Sequence, residues 1–165
     1  MKLKIFLPIA AVVLLLAGVV LLALTLASPS NDFIKDVTLN DNGTTQETLE
    51  MSANGLIPGD SREYTLNFKG QSTGSYALNF EFVEIRNSFP EDSVKVTFKY
   101  GEKEDESATY DLLDLLGGQV VTLKLKVVAK RATAVRVIYW LPLEVGNDAQ
   151  NAAVDFVVNL SADKI

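Results

Sequence analysis

The chain contains no cysteine and no histidine. Without thiols there is no disulfide framework, no thiolate nucleophile and no cysteine metal site. Without imidazole there is no Ser-His-Asp or Cys-His pair and no histidine-ligated zinc. Hydrolysis by paired carboxylates stays open, because 21 Asp and Glu residues offer many pairs. No pair stands out by position, however, and acidic residues on outer strand faces ordinarily serve solubility. No catalytic residue, metal site or cofactor is therefore assigned, and the expectation is a protein that is not an enzyme.

Charge is equally scarce at the start of the chain. From Ile5 to Ala27 there are 23 residues without a charged side chain, behind Lys2 and Lys4. A helix of that length, rising about 1.5 Å per residue, spans the roughly 30 Å hydrocarbon core of a bilayer. Its apolar run is longer than the 7 to 15 residues typical of a secretory signal, which favours a retained anchor, although Thr25-Leu26-Ala27 before Ser28 also suits cleavage. Residues 1–27 are therefore expected to be a signal anchor or signal peptide, with the membrane as a partner through residues 5–27. The remainder is expected outside the membrane or secreted after cleavage near Ala27, because the two lysines stay on the cytoplasmic side. With Lys2 and Lys4 set aside, 13 basic residues face 21 acidic ones, a net charge of −8. Such a surface repels nucleic acid and anionic headgroups, so no nucleic-acid partner is expected.

Beyond Ser28 the chain lacks long amphipathic helices and alternates apolar and polar residues instead. Residues 28–53 are polar and rich in turn formers, and read as a linker with weak first strands, "KDVTLN" and "ETLEMSA". From residue 54 to 165 a period of two is clear: Tyr64, Leu66 and Phe68; Tyr76, Leu78, Phe80 and Phe82; Val94, Val96, Phe98 and Tyr100; Val121 to Val127; Val135, Val137 and Tyr139; Val154 to Leu160. Short turn-forming segments between such runs predict an all-β fold, an antiparallel two-sheet sandwich of jelly-roll or immunoglobulin-like type. One short helix is expected in "ATYDLLDLLGG", stopped by Gly117 and Gly118.

The densest acidic run, "GEKEDES" at 101–107, lacks the spaced Asp/Asn and central Gly of a calcium loop and reads as a solvated hairpin tip. Sequons stand at Asn42-Gly43-Thr44 and Asn159-Leu160-Ser161, the second inside a predicted strand.

Two further segments interrupt the strands. In Pro58-Gly59-Asp60, proline fixes φ near −65° and glycine accepts positive φ, as a tight turn requires. In "VRVIYWLPLEVGNDAQNA", residues 135–152, Pro142 cannot donate to a ladder and ends the strand that holds Trp140. Trp140 is expected to pack under the end of the sandwich, with Gly146-Asn147 turning the chain toward Gln150 and the last strand. This stretch is expected to be a structural corner.

Together, "ANGLIPGDSREYTLNFKGQSTGSYALNFEF" and "YWLPLEVGNDAQNAAVDFVVNLSA" resemble the TasA and camelysin group of exported β-proteins from Gram-positive bacteria, over residues 53–83 and 135–162. The resemblance implies a cell-surface or biofilm-matrix β-sandwich protein that associates with copies of itself into fibres. In that group an N-terminal segment is given to a neighbour as an extra strand. The matching donor here is "FIKDVTLN", with Phe33, Val37 and Leu39 as the inserted side chains. Camelysin-like proteins have been classed as metallopeptidases; a chain without histidine lacks the usual zinc ligands, so that activity is not implied. The alternative is a membrane-tethered adhesion or ligand-binding module that does not polymerise.

Overall fold

Alternate burial along each strand divides the chain into two facing layers. The computed structural model describes residues 33–90, 93–101, 106–149 and 152–165. The apolar stretch 5–27 lies outside the described residues; among those described, no helix is long and apolar enough to cross a membrane. The elements in order are β1 (Phe33–Thr38), β2 (Thr45–Ser52), β3 (Ser61–Lys69), β4 (Gly74–Asn87), β5 (Lys95–Tyr100), β6 (Glu106–Asp111), α1 (Leu112–Leu116), β7 (Val121–Val127), β8 (Thr133–Trp140), a 3-10 segment (Leu143–Ala149) and β9 (Val154–Lys164).

One sheet has the order β1-β3-β8-β5-β6 and the other β2-β9-β4-β7. With β1 set aside, each sheet has four strands, and the partners 3-8-5-6 and 2-9-4-7 follow the double winding of a jelly roll. The expectation of a wholly antiparallel sandwich is corrected by β1, which pairs with β3 in parallel, Phe33 opposite Tyr64 through Thr38 opposite Lys69. The cause is topological. The chain leaves β1, crosses to the other sheet as β2, and returns as β3, so β1 and β3 run the same way.

The two short strands expected within residues 28–53 are present as β1 and β2; Val37, Leu39, Leu49, Met51 and Ala53 lie in the core, and β2 pairs with β9 along its whole length. The segment expected as one helix is divided. Ala108 to Asp111 belong to β6, paired with β5, and only Leu112–Leu116 is helical. Gly118, at φ 102°, then reverses the chain in a conformation that side chains resist.

The core is a continuous series of aromatic contacts joining the layers. Ring centroids lie 5.5 Å apart for Phe33–Tyr64 and for Tyr64–Tyr139, 5.4 Å for Tyr139–Phe156, 5.6 Å for Phe156–Phe82 and 6.4 Å for Phe82–Phe98. From Phe98 the series reaches Phe80 and Tyr110. The Tyr139 hydroxyl, fully enclosed, donates to Met51 Sδ at 2.8 Å, and burial, with a smaller effect from Tyr64, pushes its pKa well above the usual tyrosine value.

The connections sort to two ends. Those at 53–60 and 112–120, with the described parts of 88–94 and 141–153, share one end; those at 39–44, 70–73 and 128–132 share the other. The second is called the hinge end below.

Candidate functional site

Of the segments singled out in the sequence, the one at a sheet edge with both buried and exposed apolar residues is β1. Lys35 and Val37 point between the layers and Ile34 and Asp36 point out, as strand alternation dictates. Val37 and the following Leu39 are buried, whereas Phe33 is 43% exposed although its ring touches Tyr64. Leu39 N–H donates to the Lys69 carbonyl at 2.8 Å, continuing the ladder one residue past the strand. Two ion pairs brace the segment: Lys35 to Glu47 of β2 at 2.8 Å, and Lys69 to Asp36 at 2.5 Å. Partly exposed pairs contribute about 0–1 kcal/mol each, whereas burying a Val or Leu side chain contributes about 1.5–3 kcal/mol. Val37 and Leu39 therefore hold β1 in place, and the charges align it.

Where β1 begins, a cleft of about 440 Å³ separates the layers, lined among others by Phe33, Tyr64, Met51, Phe156, Arg62 and Asp155. It exists because β1 meets β3 only from Tyr64 onward, leaving Ser61 to Glu63 unpaired by β1. Its polar rim is already engaged. Arg62 donates to the Asn54 carbonyl at 2.5 Å, and Asp155 accepts from Asn54 at 2.8 Å and from Arg86 at 2.6 Å.

The six residues after β1 are tied down separately. Asn40 N–H donates to Thr45 Oγ1 at 2.7 Å and Asn42 N–H to Asn40 Oδ1 at 3.0 Å. The Tyr76 hydroxyl donates to Asp41 at 2.5 Å, the Thr44 hydroxyl to Asp163 at 2.5 Å, and Lys164 approaches Asp41 at 3.8 Å. Burial first, and then the Asp41 carboxylate, push the Tyr76 hydroxyl up to about 12.

Three carboxyls of this region are held below the usual range: Asp36 by Lys69 and Asn67, Asp41 by Tyr76 and Ser72, and Asp155 by Asn54 and Arg86. Because their folded values are depressed, what they contribute is fully present above the unfolded value of about 3.9. It is lost as pH falls through the lowered folded values. Urea midpoints are thus expected to hold between pH 7 and 5 and to fall below pH 4. Asp41→Asn should have a lower midpoint at pH 7 and a smaller fall below pH 4; a fall equal to that of the parent chain would count against this assignment.

The turn residues are placed as follows. Pro58 and Gly59 form the centre of a turn closed by Asp60 N–H to the Ile57 carbonyl at 2.8 Å, with Gly59 at φ 92°. A Cβ there would also meet Leu143 at 3.0 Å. Trp140 does not pack under the sandwich, contrary to expectation. On β8, Val135, Val137 and Tyr139 face inward, so Trp140 stands half-buried on the outer face, its indole N–H donating to Thr97 Oγ1 at 3.0 Å. Pro142 follows β8, and its carbonyl accepts from Val145 N–H at 3.3 Å to open the 3-10 segment. That segment replaces the simple turn expected at Gly146-Asn147. Gly146, at φ 66° and ψ −157°, breaks it in two, and Asn147 continues it. Gln150 and residues 102–105 of the acidic run lie outside the described residues. Asn42 is exposed in the loop after β1, and Asn159 faces outward from β9 beside Thr48.

Among the described residues, no group of three or more acidic side chains is arranged to hold a metal ion. A second hollow, on the outer face of the β2-β9-β4-β7 sheet, is lined by side chains such as Thr48, Asn79, Asn159 and Ser161. These bond to one another or to Thr122, as an ordinary solvated sheet face does.

No protein-family model and no curated protein matches the sequence. Among solved structures, the chain is similar to the periplasmic inhibitor of g-type lysozyme PliG from Aeromonas hydrophila, with TM-score 0.40 and 13% identity over 80% of this chain and 99% of that one. A pre-peptidase C-terminal domain of collagenase from Bacillus anthracis gives TM-score 0.38 and 7% identity, over 81% of this chain and 99% of that one. PliG from Salmonella Typhimurium gives 0.37 and 14%, over 78% and 98%. Likenesses this distant carry neither a family nor a function to this chain.

Proposed function

We propose that this chain is an exported, non-enzymatic β-sandwich protein of the cell surface or matrix, of the TasA and camelysin kind, and that β1 is a strand it gives to a second copy. The stretch 5–27 serves export as an anchor or a cleaved signal. The observation that carries the reading is that β1 stands outside the eight-strand winding, at a sheet edge, in a pairing parallel to β3. Its removal leaves 3-8-5-6 and 2-9-4-7 intact and uncovers a ready acceptor: the free edge of β3 with the sites of Val37 and Leu39 beside it.

Complementation tests this directly. A chain beginning at Asp41 is mixed with a fluorescently labelled peptide covering Phe33 to Asn40, and binding is followed by anisotropy. The parent peptide should bind and one carrying Val37→Asp should not. Failure of the parent peptide to bind a folded acceptor sinks strand donation.

One observation favours the tethered binding module instead: Trp140 lies on an outer face, in line with the Lys95–Asp111 ion pair across β5 and β6. It is the one tryptophan in the sequence, so its emission reports on that face alone. A ligand there is expected to shift or quench it, and Trp140→Phe should abolish binding. A panel of surface polysaccharides that leaves the emission unchanged would leave strand donation as the better account.

A further inference from the structure

The direction of β1 limits how many copies a donated strand can link. β1 runs parallel to β3 and therefore finishes at the hinge end. β2 begins at the same end, because Thr45 pairs with Ala162 near the finish of β9 while Ser52 pairs with Asp155 near its start. A donated β1 stays joined to its own body only through Leu39 to Thr44. Six extended residues reach roughly 20 Å at 3.3–3.6 Å each.

We infer that exchange of β1 closes at two copies, as a reciprocal dimer joined hinge end to hinge end. The inference rests on the reading of β1 as a donated strand. The donated strand ends at the hinge end of the acceptor, and the short link holds the hinge end of the donor within about 20 Å of it. The acceptor's own displaced β1 leaves from that same end. The slot the donor has vacated, along its own β3, also finishes at the donor's hinge end. Each displaced strand thus has an empty slot within reach on the molecule already bound. A third copy would have to bring its hinge end to a place already occupied. The contact is isologous, each copy giving and receiving the same strand, and such contacts close where head-to-tail ones propagate.

The closed monomer competes through the ties on the link: Asn40 to Thr45, Asn42 to Asn40, Tyr76 to Asp41 and Thr44 to Asp163. A link too short to fold back removes this competitor without touching either sheet, since short hinges between exchangeable elements favour swapping.

The absence of cysteine makes a covalent test possible. Ile34 on β1 lies opposite Thr65 on β3, so Ile34→Cys with Thr65→Cys bridges the two strands within a monomer and between chains after exchange. Residues 28–165 serve as the sample, because among the described residues the core runs from Val37 to Ala162 and Asn31–Ile165 is one compact unit. The protein is concentrated, partly unfolded in urea, returned to buffer under reducing conditions and oxidised. Non-reducing electrophoresis and intact mass are expected to show a dimer with two interchain disulfides and nothing larger. A ladder of trimers and longer species overturns closure at two while leaving strand donation standing. Monomer alone, with its disulfide intact, overturns both. Deleting Asn42 and Gly43 is expected to raise the dimer-to-monomer ratio about tenfold or more; an unchanged or lower ratio counts against the inference.

Discussion

Phe156→Ala is expected to lower stability by about 3–5 kcal/mol, the usual cost of truncating an enclosed phenylalanine. Phe156 is fully buried on β9, an interior strand of its sheet, and its ring meets Phe82 at 5.6 Å and Tyr139 of the opposite sheet at 5.4 Å. Alanine leaves a void where the layers meet, and Phe82 and Tyr139 each lose one of their aromatic contacts. Single domains are stable by only about 5–15 kcal/mol, so a shift of this size should displace the urea midpoint by a molar unit or more. Trp140→Ala removes a larger side chain, yet is expected to cost less, about 1–2 kcal/mol, because Trp140 is only partly buried on the outer face, where its loss leaves no enclosed void, and it gives up one hydrogen bond to Thr97. Equal losses at the two positions would contradict the inward and outward assignment on β8.

That contrast shows what could be read from sequence and what could not. Strands β3, β4, β7, β8 and β9 were legible because each buries one face, so large apolar residues recur at every second position. On β1 alternation is weak, because Lys35 takes an inward position between Phe33 and Val37, and Phe33, Val37 and Leu39 stand out only through what the family resemblance implies. β6 was missed: Glu106 to Thr109 carry no large apolar residue, and the strand lies on a sheet edge where little burial is demanded of it. On β8 the alternation Val135, Val137, Tyr139 assigns Trp140 to the outer face, and this local period prevails over the general tendency of tryptophan to be buried. The parallel pairing of β1 could not be read at all, because direction depends on which sheet β2 joins, and alternation looks the same in either sheet. The cleft at the start of β1 was hidden for a related reason. It is lined from β1, β2, β3, β4 and β9, which no spacing in the chain brings together.

Val37→Asp is expected to free β1 from its own sheet while leaving the other eight strands wound. Val37 is fully buried and faces the core from an edge strand, so the substitution forfeits about 1.5–3 kcal/mol of burial. It also asks an unpaired carboxylate to leave water, a cost large enough that the side chain moves out to solvent instead. In the interior of a central strand that demand would unfold the domain. Here a less costly response exists, because β1 can peel away and take the carboxylate with it. The neighbouring ion pairs, Lys35–Glu47 and Lys69–Asp36, are partly exposed and too weak to keep it docked. Amide hydrogen exchange should accordingly rise over residues 33–39, and over those amides of Tyr64 to Lys69 that face β1, with β5, β8 and β9 still protected. The far-ultraviolet spectrum should remain that of a β protein. Global loss of protection would mean that β1 belongs to the cooperative core, and a strand that cannot leave without unfolding its own domain cannot be donated to another.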